Sequence, residues 1–457
     1  DFSKWMLATY IDRDLRITDD LARQEFLSEA FNYTGQATAA DLTAEMTLDT
    51  TLAVIKLNML SELNLAFNNF AYEMTFVDQT AVARARSYAQ SYYNIFGDSN
   101  PPSYIDLGNF VSLVVNETGS TQLSTAANRL FRVMDDAIVA ERHSSDLPGA
   151  TGISIYFPNS YLYTNEIAGY TAYNTQVDQF VQASQWDDFL AFHYTGTPFD
   201  LQYSGPVIPA PGTQLQPPGS GNIEMGTLTS SADTISAGQS VHLETQITGD
   251  NIGYVYFFAG KFFPENNTYL AVDADFVTAQ ATQEVNGVTY PDWGSGPIDV
   301  SIDWTPTTYF INDGTKNEYA VLYPLEYGAT PDQNVYAVDG IFTFGDTGAT
   351  TYAVMTFRPD GWMLKIMNYA PEGGGGREIT PRQGDSFKLL LKAISMDPND
   401  PNKEPEFVEF EGGTLTFGSS NFYWDSAPAE PGSYVVGVGA LDLDGNYNLN
   451  FVPVTIQ

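Results

Sequence analysis

Gly152-Ile153-Ser154-Ile155-Tyr156-Phe157-Pro158 is the most sharply bounded strand in the chain. Period-two alternation sets Ile153, Ile155 and Phe157 on one face and Ser154 and Tyr156 on the other. Gly152 permits a tight approach, and Pro158 ends the ladder because proline has no N–H to donate. A strand with Ile and Tyr on opposite faces is covered on both, so it belongs in a sheet packed by helices. Too few companion strands precede it to build that sheet. The stretch therefore reads as a piece of a larger α/β domain, most of which lies outside the chain.

Upstream of it, residues 1–140 read as helical. Thr18 or Asp19 caps a helix to about Phe31 with Leu21, Phe26 and Leu27 as anchors. Residues 34–51 lack clear periodicity and read as a loop. Leu52–Ile55 reads as a short strand, after which Asn58 caps a helix through about Phe76. Asp78 caps the next helix, with Val82, Ala85, Ala89, Tyr92 and Tyr93 as its stripe, and Asp106 caps one carrying Leu107, Phe110, Val111 and Val114. A further helix carries Leu123, Ala127, Leu130, Met134 and Ile138, followed by a polar loop over 143–151. Beyond the quoted strand a Tyr-rich connection leads to a last helix around Ser184–Tyr194.

Residues 196–222, with Pro198, Pro206, Pro209, Pro211, Pro217 and Pro218 among glycines, form a linker. From 223 strand-like runs are punctuated by Gly, Asp and Asn, with no helical period, and Ser240–Ile247, Gly253–Phe263, Ile298–Trp304, Tyr319–Tyr323, Thr351–Phe357, Trp362–Tyr369, Phe387–Ser395, Gly413–Phe417, Tyr434–Leu441 and Tyr447–Ile456 read as strands. The expected architecture is α+β and multidomain. A helical region with few strands (1–195) forms part of a larger α/β domain. An all-β immunoglobulin-like sandwich (223–457) follows, with a second β unit inserted at about 306–425.

Acidic residues outnumber basic ones 56 to 19, giving a net charge of −37. Nucleic acid and anionic membrane surfaces are therefore poor partners, and no apolar run suggests membrane insertion. With no cysteine, the chain has neither disulfides nor a thiolate nucleophile of its own. Plentiful Tyr, Thr, Asn and Gly with scarce Lys suit an extracellular or cell-surface protein. A chain opening Asp-Phe-Ser without an initiator Met reads as processed or truncated.

The ordered set Thr51-Leu-Ala-Val-Ile, Tyr104-Ile-Asp-Leu-Gly-Asn-Phe, Ala127-Asn-Arg-Leu, Ala137-Ile-Val, Gly152 to Pro158 and Trp186-Asp-Asp-Phe-Leu resembles the clostripain family of cysteine peptidases, in the region after the catalytic cysteine. The β module resembles the tail of some large bacterial members. The resemblance implies a caspase-like sheet, a His–Cys dyad and selectivity for Arg or Lys, all carried upstream of what Asp1 matches. No catalytic residue transfers to this chain, which is expected to be inactive alone.

His143 falls in a polar loop, His193 at a helix end and His242 in a strand, with no nucleophile motif beside them. Calcium is the cofactor for which the sequence offers ligands. Asp442, Asp444 and Asn446 alternate as oxygen donors, and Asp397, Asn399 and Asp400 lie in a second oxygen-rich loop. Asp-Gly-Asn is equally what a hairpin turn requires. Trp293, Trp304, Trp362 and Trp424 can serve as stacking surfaces for sugars or as core. Asn32, Asn116 and Asn266 open glycosylation sequons. Between Arg142 and Arg358 the only Lys or Arg residues are Lys261 and Lys316, so an Arg/Lys-selective peptidase finds few sites there.

The leading expectation is an accessory chain of a secreted clostripain-like endopeptidase, partnered by an upstream chain carrying the catalytic His and Cys. In it the β module serves attachment or substrate presentation. The other is a non-enzymatic surface or filament-forming protein that assembles with copies of itself.

Overall fold

The computed structural model describes residues 10–11, 13–31, 38–48, 50–92, 103–201, 205–210, 212–264, 267–368, 377–395 and 406–457. The fold is mixed α+β, with helices before residue 196 and several sheets after it, one of them large. Several helices start where their sequences supply caps. The side chain of Asp78 accepts from Thr80 N, that of Asp106 from Asn109 N and that of Ser120 from Leu123 N. Their apolar stripes meet in one core around Phe70, Met74, Phe110, Val114, Leu130, Phe157, Trp186 and Phe189.

The opening strand is shorter than its sequence suggests. Ser154–Tyr156 pairs antiparallel with Tyr104–Asp106 alone, Ile155 opposite Ile105. The ladder stops because its flanking groups reach Leu107 N and Ser103 O, where helix and loop begin. Both faces are covered as the alternation implies. Tyr156 stacks on Tyr173 at 4.2 Å, and Phe157 meets Phe110 and Trp186 edge-on at 5.4 Å. A second small ladder joins Thr51–Ile55 to Ile138–His143.

Five local expectations need correction. The helix capped by Asp78 ends at Tyr88, so Ala89 and Tyr92 lie beyond it, and Tyr93 lies outside the described residues. Residues 39–48 form a helix, Ala39–Leu48, because Ala, Leu, Met and Glu favour it and Leu42 is buried. Ile138–His143, read as helix end and loop, is a strand, since Ile138, Ala140 and His143 find partners in Thr51–Ile55. The Leu60–Met74 helix is entered through a 3-10 turn, Leu57–Met59, rather than capped by Asn58. The Tyr-rich connection holds three short helices, Ser160–Tyr163, Tyr170–Gln176 and Asp178–Ala183.

In the β region, a four-stranded sheet built on Val241–Thr248 and Ile298–Trp304 faces part of the large sheet. Val241, Leu243, Ile247, Val300 and Trp304 from one side meet Val255, Phe257, Val436, Val438 and Val454 from the other. Among the described residues the large sheet has twelve strands. It runs from Arg377–Glu378 through Val335–Thr343, Ser386–Ser395, Thr268–Phe276, Ile252–Phe263 and Gly432–Asp442 to Tyr447–Ile456, ending on a short parallel strand, Thr234–Ile235. The part at 306–425 builds its own core of Phe342, Phe357, Phe387, Leu415 and Phe422. Yet its ladder continues that of the facing-sheet part, because Thr268 lies opposite Ser395.

The Pro-rich segment runs along both regions. Gln216 N donates to Tyr194 O, Val207 N to Asp187 Oδ2 and Gly221 N to Asp442 Oδ2. No helix among the described residues is long and apolar enough to cross a membrane.

Candidate functional site

The site sits where the helical region meets the β region. On the helix Gln79–Tyr88, burial of Val82 and Ala85 leaves Arg84 and Tyr88, four residues apart, side by side and turned toward the β strands. From the other side comes a hairpin, Ala281–Val285 and Val288–Asp292, closed by Asn286-Gly287. Both loop residues have positive φ, 53° and 78°, the geometry for which Asn-Gly is suited. The hairpin tip reaches into the helical region. The side-chain amides of Asn109 and Asn286 bond each other reciprocally at 2.9 and 3.0 Å, and Asn286 Nδ2 also donates to Tyr88 O. Behind it the Tyr88 and Tyr290 rings approach to 4.7 Å between centroids.

A second contact flanks the hairpin. Asn251, also at positive φ, accepts from Arg84 Nε at 2.9 Å and donates to Thr80 O at 3.1 Å. Between these two contacts opens a groove of about 500 Å³. Arg84, Tyr88 and Glu117 line it from the helices, and Asp250, Gln283, Asp292 and Trp293 from the strands and loops. Most of these side chains are held from behind. Trp293 Nε1 donates to Gly253 O, Asp250 accepts from Asn222 Nδ2, Asp292 accepts from Gly294 N, and Arg84 pairs with Glu117 at 3.4 Å. Burial pushes the Tyr88 phenol up to about 12, so it stays neutral.

Asp442, Asp444 and Asn446 do come together, in a turn that clasps the helical region. Asp442, 2% exposed, accepts from Asp444 N and Asn446 N through Oδ1, and from Gly221 N and Asn446 Nδ2 through Oδ2. Asp444 accepts from the backbone and hydroxyl of Ser160 and from Ser220 Oγ. Their lone pairs are thus met by protein N–H and O–H groups in a hydrogen-bonded turn. Asp397, Asn399 and Asp400, the other proposed calcium ligands, lie outside the described residues, as do Asn32 and Asn266. Among the described residues no group of three or more His, Cys, Asp or Glu is arranged to hold a metal.

The histidines stand apart. His143 bonds Glu141, and His242, raised by Asp303 and then Glu244, is half-buried. His193 is buried, bonds Gln79 Oε1, and is driven down to about 3 by burial and then by Arg86. It is a neutral packing residue. Beside it Arg86 donates to Phe157 O and faces Asp444 across a cavity of about 20 Å³, room for one water. Of the tryptophans, Trp304 is core and bonds Asp273, Trp424 packs on Tyr309, Trp362 is exposed beside Tyr423, and only Trp293 lines the groove.

Two carboxylate pairs escaped the sequence reading. Asp187 and Asp188, each 4% exposed, are pushed up to about 6 and about 7 by burial, Asp188 also by Asp187. Asp273 and Asp275 share one face of the Thr268–Phe276 strand and bond Trp304 Nε1 and the Tyr336 hydroxyl. Burial pushes Asp273 up to about 7, with Asp275 contributing. Consecutive acids within Trp186-Asp-Asp-Phe-Leu and the alternation Val272-Asp-Ala-Asp-Phe276 were the available signals.

The sequence matches no protein-family model and no curated protein.

Proposed function

We propose that the chain is the downstream, non-nucleophile part of a secreted clostripain-like cysteine endopeptidase. Its helical region supports a catalytic part held elsewhere. Its β region, read as an immunoglobulin-like sandwich with an inserted β unit, provides attachment or substrate presentation. One observation carries this reading. Thr51–Ile55 is an apolar strand in which every residue is only half-buried, paired on one side alone among the described residues. Just after it in the chain Leu57 and Leu60 are 76 and 46% exposed, and on its partner strand Val139 is 56% exposed. An apolar strand with an open edge and exposed apolar neighbours is suited to extension by further strands. The stretches that carry the family resemblance also pack as a unit: Trp186 Nε1 donates to Tyr156 O, and Asp106 binds Thr151 through both carboxylate oxygens.

In this reading catalysis needs a thiolate that the chain lacks, so its residues position rather than react. The test is co-expression with the polypeptide encoded immediately upstream, followed by assay on an Arg or Lys amide substrate. The expected outcome is a stable complex with iodoacetamide-sensitive hydrolysis, absent from the chain alone. An upstream sequence consisting of a signal peptide and no His- and Cys-bearing segment would instead favour the non-enzymatic surface protein.

A further inference from the structure

We propose that the groove between the Gln79–Tyr88 helix and the Ala281–Asp292 hairpin binds a neutral saccharide. The inference stands apart from the peptidase reading, since it rests only on the chemistry of the groove walls. A ligand cleft is a concavity, commonly at a junction of structural units, with a few fixed polar groups and an apolar surface. This one holds about 500 Å³ and joins two aromatic residues, Trp293 and Tyr88, to planar polar side chains of both signs, Arg84, Glu117, Asp250 and Asp292.

That combination selects by exclusion. Three carboxylates against one guanidinium, in a chain of net charge −37, repel an anion. A cation meets Arg84 in the wall, and the Glu117 charge is already engaged by it. An apolar ligand would strip water from the carboxylates without replacing their hydrogen bonds. A sugar ring avoids each conflict. Its C–H face packs on an aromatic ring, while its hydroxyls donate to carboxylates and accept from a guanidinium.

The walls are also set in advance. The indole N–H is committed to Gly253 O at 3.0 Å, and the part of the half-buried ring not packed on the core is left for stacking. Asp250 and Asp292 each hold one neighbour's N–H. Such preorganisation lowers the ordering cost of binding.

The experiment is isothermal titration of the full chain with cellobiose, maltose and N,N′-diacetylchitobiose, each to about 10 mM. We expect one of them to bind with a Kd of roughly 1 mM or tighter. Trp293→Ala should weaken that binding at least about tenfold, the loss of one stacking surface. Trp293 also packs against the β core, so Asp292→Asn provides the second variant. Asp292 is exposed, and the amide oxygen retains an acceptor for Gly294 N, so the melting temperature should hold while binding falls several-fold. Failure of all three sugars to bind overturns the proposal, as does binding unchanged in both variants. Uptake of n-butylammonium with no sugar bound would show a cation site instead and overturn it equally.

Discussion

Replacing Asp273 by Asn should change how stability depends on pH. Asp273 lies on the strand shared by the two β cores, where it accepts from Trp304 Nε1 at 3.0 Å. Burial and the nearby Asp275 raise its carboxyl from 3.8 to about 7. A group whose folded value is raised binds its proton more tightly folded than unfolded. Its stabilisation is complete below the unfolded value and is lost as pH climbs through the folded one, here between about 4 and 7. Three pH units correspond to about 4 kcal/mol. Halved for the solvent that reaches this partly exposed residue, the expected effect is about 2 kcal/mol. Asn keeps an oxygen for the Trp304 N–H and cannot ionise.

Urea unfolding of both proteins at pH 4.5 and pH 8 measures the difference. The variant should gain about 2 kcal/mol relative to the parent on going from the acid to the alkaline condition. His193, lowered from 6.5 to about 3, acts in the opposite sense, destabilising the fold as pH drops through that window. Its contribution is common to both proteins and cancels in the comparison. Parallel pH profiles for parent and variant would refute the argument.

Gly149→Ala should loosen the hairpin, because a Cβ there would lie 2.5 Å from Asn286 Oδ1 and 2.8 Å from Gln90 Cβ; faster amide exchange across Ala281–Asp292 checks it. Asn286→Ala leaves Asn109 without its reciprocal partner and should cost about 1–3 kcal/mol, read as a lowered urea midpoint. Elastase should cut near Val207–Ala210, where Ile208 is 63% exposed, yet the two fragments should co-elute because the junction bonds lie elsewhere; separation on gel filtration would contradict this. EDTA should leave the melting temperature unchanged if the Asp442 turn is held by protein donors alone, whereas a rise on adding Ca²⁺ would assign a site to it or to the Asp397–Asp400 loop.

What the sequence disclosed followed from local chemistry. Asp78 and Asp106 were readable as caps because an N-cap acts within three residues. Ile298–Trp304 and Tyr447–Ile456 were readable as strands because clear turn signals bound them. The Thr268–Phe276 strand was missed because Asp273 and Asp275 disguise its alternation. Those acids are tolerable only beside Trp304 and the Tyr336 hydroxyl, partners 31 and 61 residues away. The groove was hidden for the same reason. Asn286-Gly287 announces a hairpin, but nothing nearby announces that its tip will meet Asn109, 177 residues earlier. Trp293 was visible as an aromatic residue, though not as the one of the β region's four tryptophans that lines the groove.

The junction changes what the Pro-rich segment can do. Composition alone makes residues 196–222 a tether, with Pro stiffness and Gly freedom between regions of unlike texture. In the fold both regions hold it: Val207 answers to Asp187, Gln216 to Tyr194, Ser220 to Asp444 and Gly221 to Asp442. The two regions meet independently of it through the Asn286 hairpin tip, Asn251 and the Asp444 turn. Three contacts contributed by separate loops define a relative orientation, which a single flexible strand of chain cannot. The groove depends on that orientation, since Arg84, Tyr88 and Glu117 stand on one region and Asp250, Asp292 and Trp293 on the other. Ligand binding in the groove and stability of the junction are therefore linked. A sugar that bridges the walls should slow exchange of the Asn286 hairpin amides, and Gly149→Ala should weaken sugar binding without touching a groove residue.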